Sequence, residues 1–270
     1  MLMANNSLSL IDIGANLLDQ KLYKNFDSII QKSKDNNLKK IIITSSCIKD
    51  THAAKVLIDK EPELLCTTVG FHPHNAKDYN DNHYDEMLKL CELSYVKAIG
   101  ECGLDYKRNY SSKIDQLYCF KKHLDLASEI NMPMFLHERD AHQDFLKLLK
   151  EYINKIEDVV VHCFTGDKQS LKNYLDLDCY IGITGWITDP KRGSHLHDII
   201  KYIPSNKIMI ETDSPYLMPY NFDIKNKKYN EPSNLIYILE TISNILKKDK
   251  SLLTKEIYNN TCKFFNLYDE

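Results

Sequence analysis

The chain has 270 residues, and its formal net charge at neutral pH is −3. Hydrophobic residues make up 43% of it, which is enough to bury a sizeable core and excludes a disordered protein. The charge balance excludes a global positive field that would attract nucleic acid or an anionic membrane, so any basic site has to be local.

Short β-branched runs alternate with amphipathic segments along the whole chain, which is typical of repeated βα units. The sequence predicts eight strands, at Leu8–Ile13, Lys40–Thr44, Leu65–Val69, Val96–Gly100, Pro133–Leu136, Val159–Val161, Cys179–Ile183 and Lys207–Ile210. Helical periodicity lies between them, for example over Gln116–Glu129, and two helices over Asn234–Leu246 and Ser251–Phe265 close the chain.

Eight βα units of roughly 30 residues each account for nearly the whole length. The sequence therefore predicts an α/β fold: a single TIM (β/α)8 barrel domain over residues 1–270, with its active site at the C-terminal ends of the strands. A doubly wound open sheet is the alternative, but no glycine-rich dinucleotide-binding turn or phosphate-binding P-loop is present. The one long irregular stretch, 215–232, carries Pro219, Lys225, Lys227 and Lys228 and is expected to overhang the active site.

The sequence predicts a cytoplasmic protein, or a nuclear one if the source cell is eukaryotic, with no membrane partner. No apolar run approaches the ~20 residues of a spanning helix. The N-terminus lacks the basic flank and apolar stretch of a secretory signal. The eight cysteines are dispersed without a Cys-x-x-Cys pair, so we expect reduced, mostly buried thiols rather than disulfides or a structural zinc site.

Polar side chains follow five of the predicted strands. They are His72 and His74, Glu101, His137, His162 and Asp213. A lone histidine at a strand end is commonly a hydrogen-bonded cap. Because the strand ends of a barrel converge on one face, however, these imidazoles and carboxylates would surround a common point, as a catalytic divalent cation requires. A core built for stability would carry Val, Ile or Leu there instead.

Imidazole suits Zn2+, Mn2+, Fe or Ni and carboxylate suits Mg2+ or Mn2+, so the mixed ligands leave the metal open among these ions, with one or two ions per chain. Glu101 can bridge two cations, and such a pair clamps the attacking and leaving oxygens of a phosphoryl displacement. Asp213 is the candidate to hold or deprotonate the water. Its alternative role is an Asx turn or helix cap ahead of Pro215.

A basic rim beside this centre would suit a phosphate backbone. Arg139 lies two residues past His137, where it could meet a substrate anion bidentately, although an ion pair with Asp140 or Glu138 is equally open. The other candidates are Lys107, Arg108, Lys191 and Arg192, which a solvated charged face would explain as well. Aromatic residues near strand ends could stack on bases or simply pack; they are Phe71, Tyr106, Phe164, Trp186 and Tyr216.

Five segments resemble the signature segments of the TatD family of metal-dependent deoxyribonucleases. They are Gly70–His74, Ala98–Asp105, Met134–His137, His162–Gly166 and Glu211–Leu217. Three more are similar to the bacterial branch of that family: Asp12–Leu17, Tyr180–Trp186 and Asn230–Pro232. The resemblance implies an amidohydrolase-type barrel with Mg2+- or Mn2+-supported 3′-to-5′ exonuclease activity on single-stranded DNA, with RNA as a further substrate, in DNA repair or DNA degradation.

The resemblance also implies roles for individual residues. Glu101, His137 and His162 correspond to metal ligands, with Asp213 as a further acidic group, and the segment of His72 and His74 borders the site. We therefore expect catalytic roles for Glu101, Asp213 and His72, and substrate contacts from His74, Arg139, Arg108 and Asn16.

One departure from the family pattern affects the metal count. Most relatives carry Asp-x-His-x-His after the first strand, and here Gly14 and Asn16 take the two histidine positions. A second cation would then rely on Glu101, water and substrate oxygens, as expected of loosely held Mg2+.

Two other function classes remain open from the sequence. A small-molecule hydrolase on the same barrel would cleave an amide, ester or phosphoester in a closed apolar pocket, whereas a nuclease needs an open basic groove. A non-catalytic metal-binding barrel is the second class, and Gly14 and Asn16 are its best support. No obligate protein partner is predicted, because no heptad or exposed apolar helix face stands out.

Overall fold

The computed structural model describes residues 8–221 and 228–268. Within them, eight parallel strands form one sheet in which each strand lies beside its neighbour in the sequence. The strands are β1 Leu10–Ala15, β2 Leu38–Ile43, β3 Leu65–Val69, β4 Val96–Asp105, β5 Met134–Arg139, β6 Val159–Val161, β7 Tyr180–Ile183 and β8 Ile208–Ile210. The α-helices in this part of the chain are α1 Gln20–Tyr23, α2 Phe26–Asp35, α3 Ile48–Ile58, α4 Asn82–Cys91, α5 Lys113–Ile130, α6 His142–Tyr152, α7 Lys168–Leu175, α8 Ser194–Ile199, α9 Leu235–Leu246 and α10 Lys250–Phe265.

The sheet nearly closes into a barrel, where β8 meets β1. A parallel bridge joins Ala15 to Ser214, and the backbone N–H of Asp213 donates to the carbonyl of Gly14 at 2.8 Å. The backbone N–H of Asn16 donates to the carbonyl of Ser214, also at 2.8 Å. The predicted α/β barrel with eight strands is confirmed.

Three strands run further than predicted: β1 continues to Ala15 instead of Ile13, and the longer β4 and β5 change the position of two site residues. The strand β4 continues to Asp105 and β5 continues to Arg139, so Glu101 and His137 lie within strands rather than after them. Gly103 makes this possible: its φ is +139°, and a Cβ there would lie 2.0 Å from the carbonyl oxygen of His137. Only glycine allows β4 and β5 to pair this closely.

The barrel interior is apolar at its N-terminal end and is covered there by the end of the chain. Inward residues of the strands form one cluster with Phe264 and Phe265 of α10. Lys97, at the start of β4, donates to the carbonyl of Asn266, and Asn260 of α10 donates to the carbonyl of Ile208 at the start of β8. The C-terminal ends of the strands are therefore the end that remains open to a ligand.

All eight cysteines are free thiols, five of them buried. In the described part of the chain, no helix combines the length and apolarity needed to cross a bilayer. The stretch predicted to overhang the barrel is irregular up to Asn221 and again from Lys228, while Lys225 and Lys227 lie outside the described residues.

Candidate metal centre and cleft

Three imidazoles converge on one carboxylate oxygen of β4: His72 follows β3, His137 lies within β5, and His162 follows β6. The Oε1 atom of Glu101 lies 2.8 Å from Nδ1 of His137 and 2.8 Å from Nε2 of His162. The same oxygen lies 3.3 Å from Nε2 of His72. The ligand atoms of His72, Glu101 and His137 all lie within 4.8 Å of one another. The structure thus brings together four of the residues singled out from the sequence, on β4, β5 and the ends of β3 and β6.

The donor set fits a divalent cation. A carboxylate and neutral imidazoles are the ligands that Mn2+ and Zn2+ share, and carboxylate oxygens suit Mg2+. The Nδ1 atom of His137 faces Glu101, while its buried Nε2 atom makes no hydrogen bond among the described residues and lies 3.5 Å from the carboxylate of Asp105, as expected of a metal-ligating imidazole backed by an acid.

The acidic and imidazole groups of this cluster shift one another's pKa values. Burial alone would raise the pKa of Glu101, but the neighbouring His162 and His72 lower it well below its usual range. Burial would lower the pKa of His162, yet the carboxylates of Glu101 and Glu211 raise it well above its ordinary value. His72 has a lowered pKa, mainly because it is buried. Glu101 therefore carries its negative charge in the centre of the cluster.

Asp213 lies beside the cluster, in the turn that follows β8. The side-chain amide of Asn16 donates to its Oδ1 atom at 3.0 Å. Burial raises the pKa of Asp213 to about 7, against the opposing charge of His162. The Asn16 amide, which the sequence suggested for substrate, also donates to the carbonyl of Ser214 at 3.2 Å. Asn16 lines the cleft, but its side-chain amide donates to Asp213 and to the backbone of the following turn, and so orients both.

Two further carboxylates contact the histidines of the site. The sequence analysis did not single them out. The Oδ2 atom of Asp105 lies 2.8 Å from Nε2 of His74 and 3.5 Å from Nε2 of His137. The Oε2 atom of Glu211 lies 3.3 Å from Nδ1 of His162. His74 is thereby held by Asp105 at the border of the cluster.

A sequence signal for both carboxylates did exist. Asp105 lies four residues after Glu101, and Glu211 lies two residues before Asp213. Even spacing puts side chains on one face of an extended segment. Ending the predicted fourth strand at Gly100 hid that relation for Asp105.

A cleft of about 1100 Å³ opens above the cluster, and all three arginines of the chain line it. The guanidinium groups of Arg108 and Arg139 are exposed, and no carboxylate of residues 8–221 and 228–268 forms a salt bridge with either. The partners considered for Arg139 are engaged elsewhere: Asp140 pairs with Lys107 at 3.6 Å, and Glu138 accepts from the hydroxyl of Tyr174 at 2.9 Å.

The third arginine and several aromatic residues also line the cleft. Arg192 pairs with Asp189 at 2.6 Å and stacks on the ring of Trp186 with 4.6 Å to its centroid. Tyr216 is 53% exposed and Tyr110, which the sequence analysis overlooked, is 58% exposed. The other aromatic candidates are otherwise engaged: Phe71 and Phe164 are buried, and Tyr106 donates to Asp144.

The sequence model of the family described as TatD related DNase matches residues 11–266. The chain belongs to this family. The motif-based prediction of TatD is thereby confirmed. A protein of Erwinia billingiae named 3′-5′ ssDNA/RNA exonuclease TatD is 35% identical over 96% of this chain and 99% of its own length. A protein of the same name from Edwardsiella piscicida is 36% identical, over 96% of this chain and all of its own.

Solved structures agree with the TatD assignment. A TatD family hydrolase from Entamoeba histolytica superposes with a TM-score of 0.85 at 30% identity, covering 95% of this chain and 97% of its own. The TatD homologue YjjV of Escherichia coli shares the fold with a TM-score of 0.86 at 23% identity, covering 95% of this chain and 98% of the other.

Proposed function

We propose that the chain is a metal-dependent nuclease that hydrolyses phosphodiester bonds, acting from the 3′ end of single-stranded DNA and also on RNA. The observation that carries this proposal is the position of the arginines. All three line one cleft, directly above a cluster of one carboxylate and three imidazoles. Two of them, Arg108 and Arg139, have no ion-pair partner among the described residues, and free guanidinium groups beside such a cluster suit a substrate that carries several phosphates.

Glu101, His137 and His162 would hold the cation, with His72 and Asp213 beside it. Mg2+ is the ion we favour, with Mn2+ or Zn2+ as alternatives, and the two oxygens of Glu101 allow one or two ions. When bound, the cation supplies Lewis acidity toward a phosphate oxygen.

The protein's own groups would orient the reactants. Asn16 holds Oδ1 of Asp213, so the other oxygen of that carboxylate is left to accept a proton from the attacking water. Arg139 and Arg108 would bind the scissile phosphate and the phosphates on its 5′ side, and the exposed rings of Tyr110 and Tyr216 offer stacking surfaces for unpaired bases. His74, held by Asp105, would border the substrate.

A small-molecule hydrolase is less well supported by this geometry. Such enzymes enclose their ligand, whereas this cleft is open, and exposed arginines line it beside acidic, imidazole and apolar groups. Action as one domain over residues 1–270, a cytoplasmic or nuclear location, the absence of an obligate protein partner, and a role in DNA repair or DNA degradation all stay predictions from the sequence.

The test is a time course on oligonucleotides labelled at the 3′ or the 5′ end, in Mg2+, in Mn2+ and with chelator. For the unaltered protein we expect stepwise loss from the 3′ end that requires metal. Glu101→Ala should abolish cleavage and leave the circular dichroism spectrum unchanged, while Glu86→Ala, at an exposed glutamate outside the cleft, serves as the matched control. Full activity of Glu101→Ala, or cleavage in chelator, would contradict the proposal, and no cleavage with any metal would favour the small-molecule hydrolase.

A further inference from the structure

Glu211 is a fully buried carboxylate that no step above uses. It directly follows β8 and its side chain has no exposed surface. Its Oε1 atom accepts the backbone N–H of Cys163 at 2.6 Å, and its Oε2 atom lies 3.3 Å from Nδ1 of His162. A buried carboxylate is costly unless hydrogen bonds or charges compensate it, and here both oxygens are used.

The space that holds this carboxylate exists because two neighbouring residues have no side chain. A Cβ atom at Gly14 of β1 would lie 2.6 Å from Oε2 of Glu211. A Cβ atom at Gly182 of β7 would lie 2.8 Å from Oε1. Real Cβ contacts are not this short, so a side chain at either position would displace the carboxylate. The two strands beside β8, β1 and β7, therefore leave room between them for the side chain of Glu211.

We propose that Glu211 is a positioning residue for the metal centre and that Gly14 and Gly182 form the slot that admits it. A carboxylate only accepts hydrogen bonds, so His162 presents Nδ1–H to Glu211. Its Nε2 atom then faces Glu101 and a cation held there. The inference rests on the proposed function, because it gives His162 a role as a ligand.

Glycine at position 14 fits this slot. The space above Gly14 is filled by the carboxylate of Glu211, so a histidine placed there would collide with it. In this chain the carboxylate of Glu211, which accepts from His162, occupies the space that a side chain at position 14 would need.

Glu211→Gln is the most direct test, since it keeps the shape of the side chain. Glutamine cannot accept from both His162 and Cys163 at the same positions, because one of its two terminal atoms is an N–H donor. We expect the dissociation constant for Mn2+, measured by calorimetry on metal-free protein, to rise by about 10- to 100-fold. Glu231→Gln, at a buried glutamate paired with Lys32 outside the cluster, is the matched control and should bind Mn2+ as the unaltered protein does.

A second readout separates positioning from simple structural support. In metal-free protein labelled with 15N-histidine, the His162 Nδ1–H proton should resonate downfield and exchange slowly with solvent. Glu211→Gln should lose this signal, and Glu231→Gln should keep it. Equal Mn2+ affinity with an unchanged His162 signal in Glu211→Gln would overturn the inference.

The glycines allow a test that leaves the charge of Glu211 intact. Gly14→Ala and Gly182→Ala should each weaken Mn2+ binding by displacing the carboxylate. In a Glu211→Ala background, most of the effect of Gly14→Ala should disappear, because only the ring of Phe135, 3.1 Å from the added Cβ, remains close to it. If its full effect persists there, the slot is refuted. An unaltered protein that binds no Mn2+ would count against the proposed function itself, whereas normal binding with insensitive variants would count against the inference alone.

Discussion

Arg139 combines exposure, a position on the cleft and the lack of an ion-pair partner among the described residues. We expect Arg139→Ala to weaken binding of a labelled single-stranded oligonucleotide and to reduce the slope of log affinity against log salt by about 1. Arg139→Lys should restore the slope but only part of the affinity, since an ammonium group cannot bind a phosphate in the bidentate manner of a guanidinium. Lys172→Ala, which removes a lysine paired with Asp176, is the control. An unchanged salt slope in Arg139→Ala would exclude a phosphate contact.

His137 makes the closest approach to Glu101 from β5 and has a buried Nε2 atom without a hydrogen bond among the described residues. We expect His137→Ala to raise the Mg2+ concentration for half-maximal cleavage by at least about 10-fold, because an imidazole ligand is removed. The measurement is cleavage rate against Mg2+ concentration, with the exposed His52→Ala as control. A variant that cleaves with an unchanged half-maximal Mg2+ concentration would show that His137 is not a ligand.

The sequence allowed individual site residues to be predicted where they follow closely on a predicted strand. His72, Glu101, His137, His162 and Asp213 were singled out in this way, because strand ends of one barrel must converge. Asp105 and Glu211 were not, because the predicted strands ended at Gly100 and Ile210 and only Glu101 and Asp213 were taken from the segments beyond those ends. Which further polar residues of a segment face the cluster depends on side-chain directions that strand periodicity alone does not fix.

At the scale of elements, the joint between β8 and β1 depends on one buried acid. The Oδ1 atom of Asp12 accepts the backbone N–H of Thr212 at 2.8 Å, and Oδ2 accepts the Thr212 hydroxyl at 2.5 Å. Burial raises the pKa of Asp12 to about 8, against hydrogen bonds that lower it. The folded state therefore keeps a proton that the unfolded state releases near pH 4.

This shift predicts a pH dependence with a definite sign. Because the folded-state pKa is raised, the stabilising contribution of Asp12 is complete below about pH 4 and is lost as the pH rises to about 8. The free energy of unfolding of the unaltered protein, relative to Asp12→Asn, should fall over this window by at most about 1.4 kcal/mol per pH unit. Urea unfolding at several pH values measures it. A difference that grows with pH would contradict an uncharged Asp12.

The elements themselves were largely predictable, and the early ends of two strands have one cause. All eight predicted strands are present, because each is a short apolar run followed by an amphipathic segment. The ends of β4 and β5 were placed too early, since the polar residues Glu101 and His137 were taken to follow their strands. At Gly103 the glycine lets the two strands stay paired, by adopting a positive φ beside a close carbonyl.

At the scale of the whole molecule, one end of the barrel is closed by apolar packing and the other carries the polar cleft. The N-terminal end is covered by α10, where Phe265 is buried and packs against Phe264. We expect Phe265→Ala to lower the free energy of unfolding by about 3–5 kcal/mol. Mn2+ affinity at the opposite end should stay unchanged. Urea unfolding and calorimetry measure the two quantities, and a parallel loss of Mn2+ affinity in the folded variant would show that the ends are coupled.

The confinement of arginine to one cleft has a practical consequence for chemical labelling. The other basic side chains of the chain are lysines and histidines, so a dicarbonyl reagent selective for guanidinium groups would act as a reagent for the cleft. Intact-mass analysis would then count at most three adducts, and peptide mapping would assign each to one wall of the cleft. An oligonucleotide bound in the cleft should protect these positions in proportion to its occupancy, which gives a direct footprint of the substrate without any engineered label.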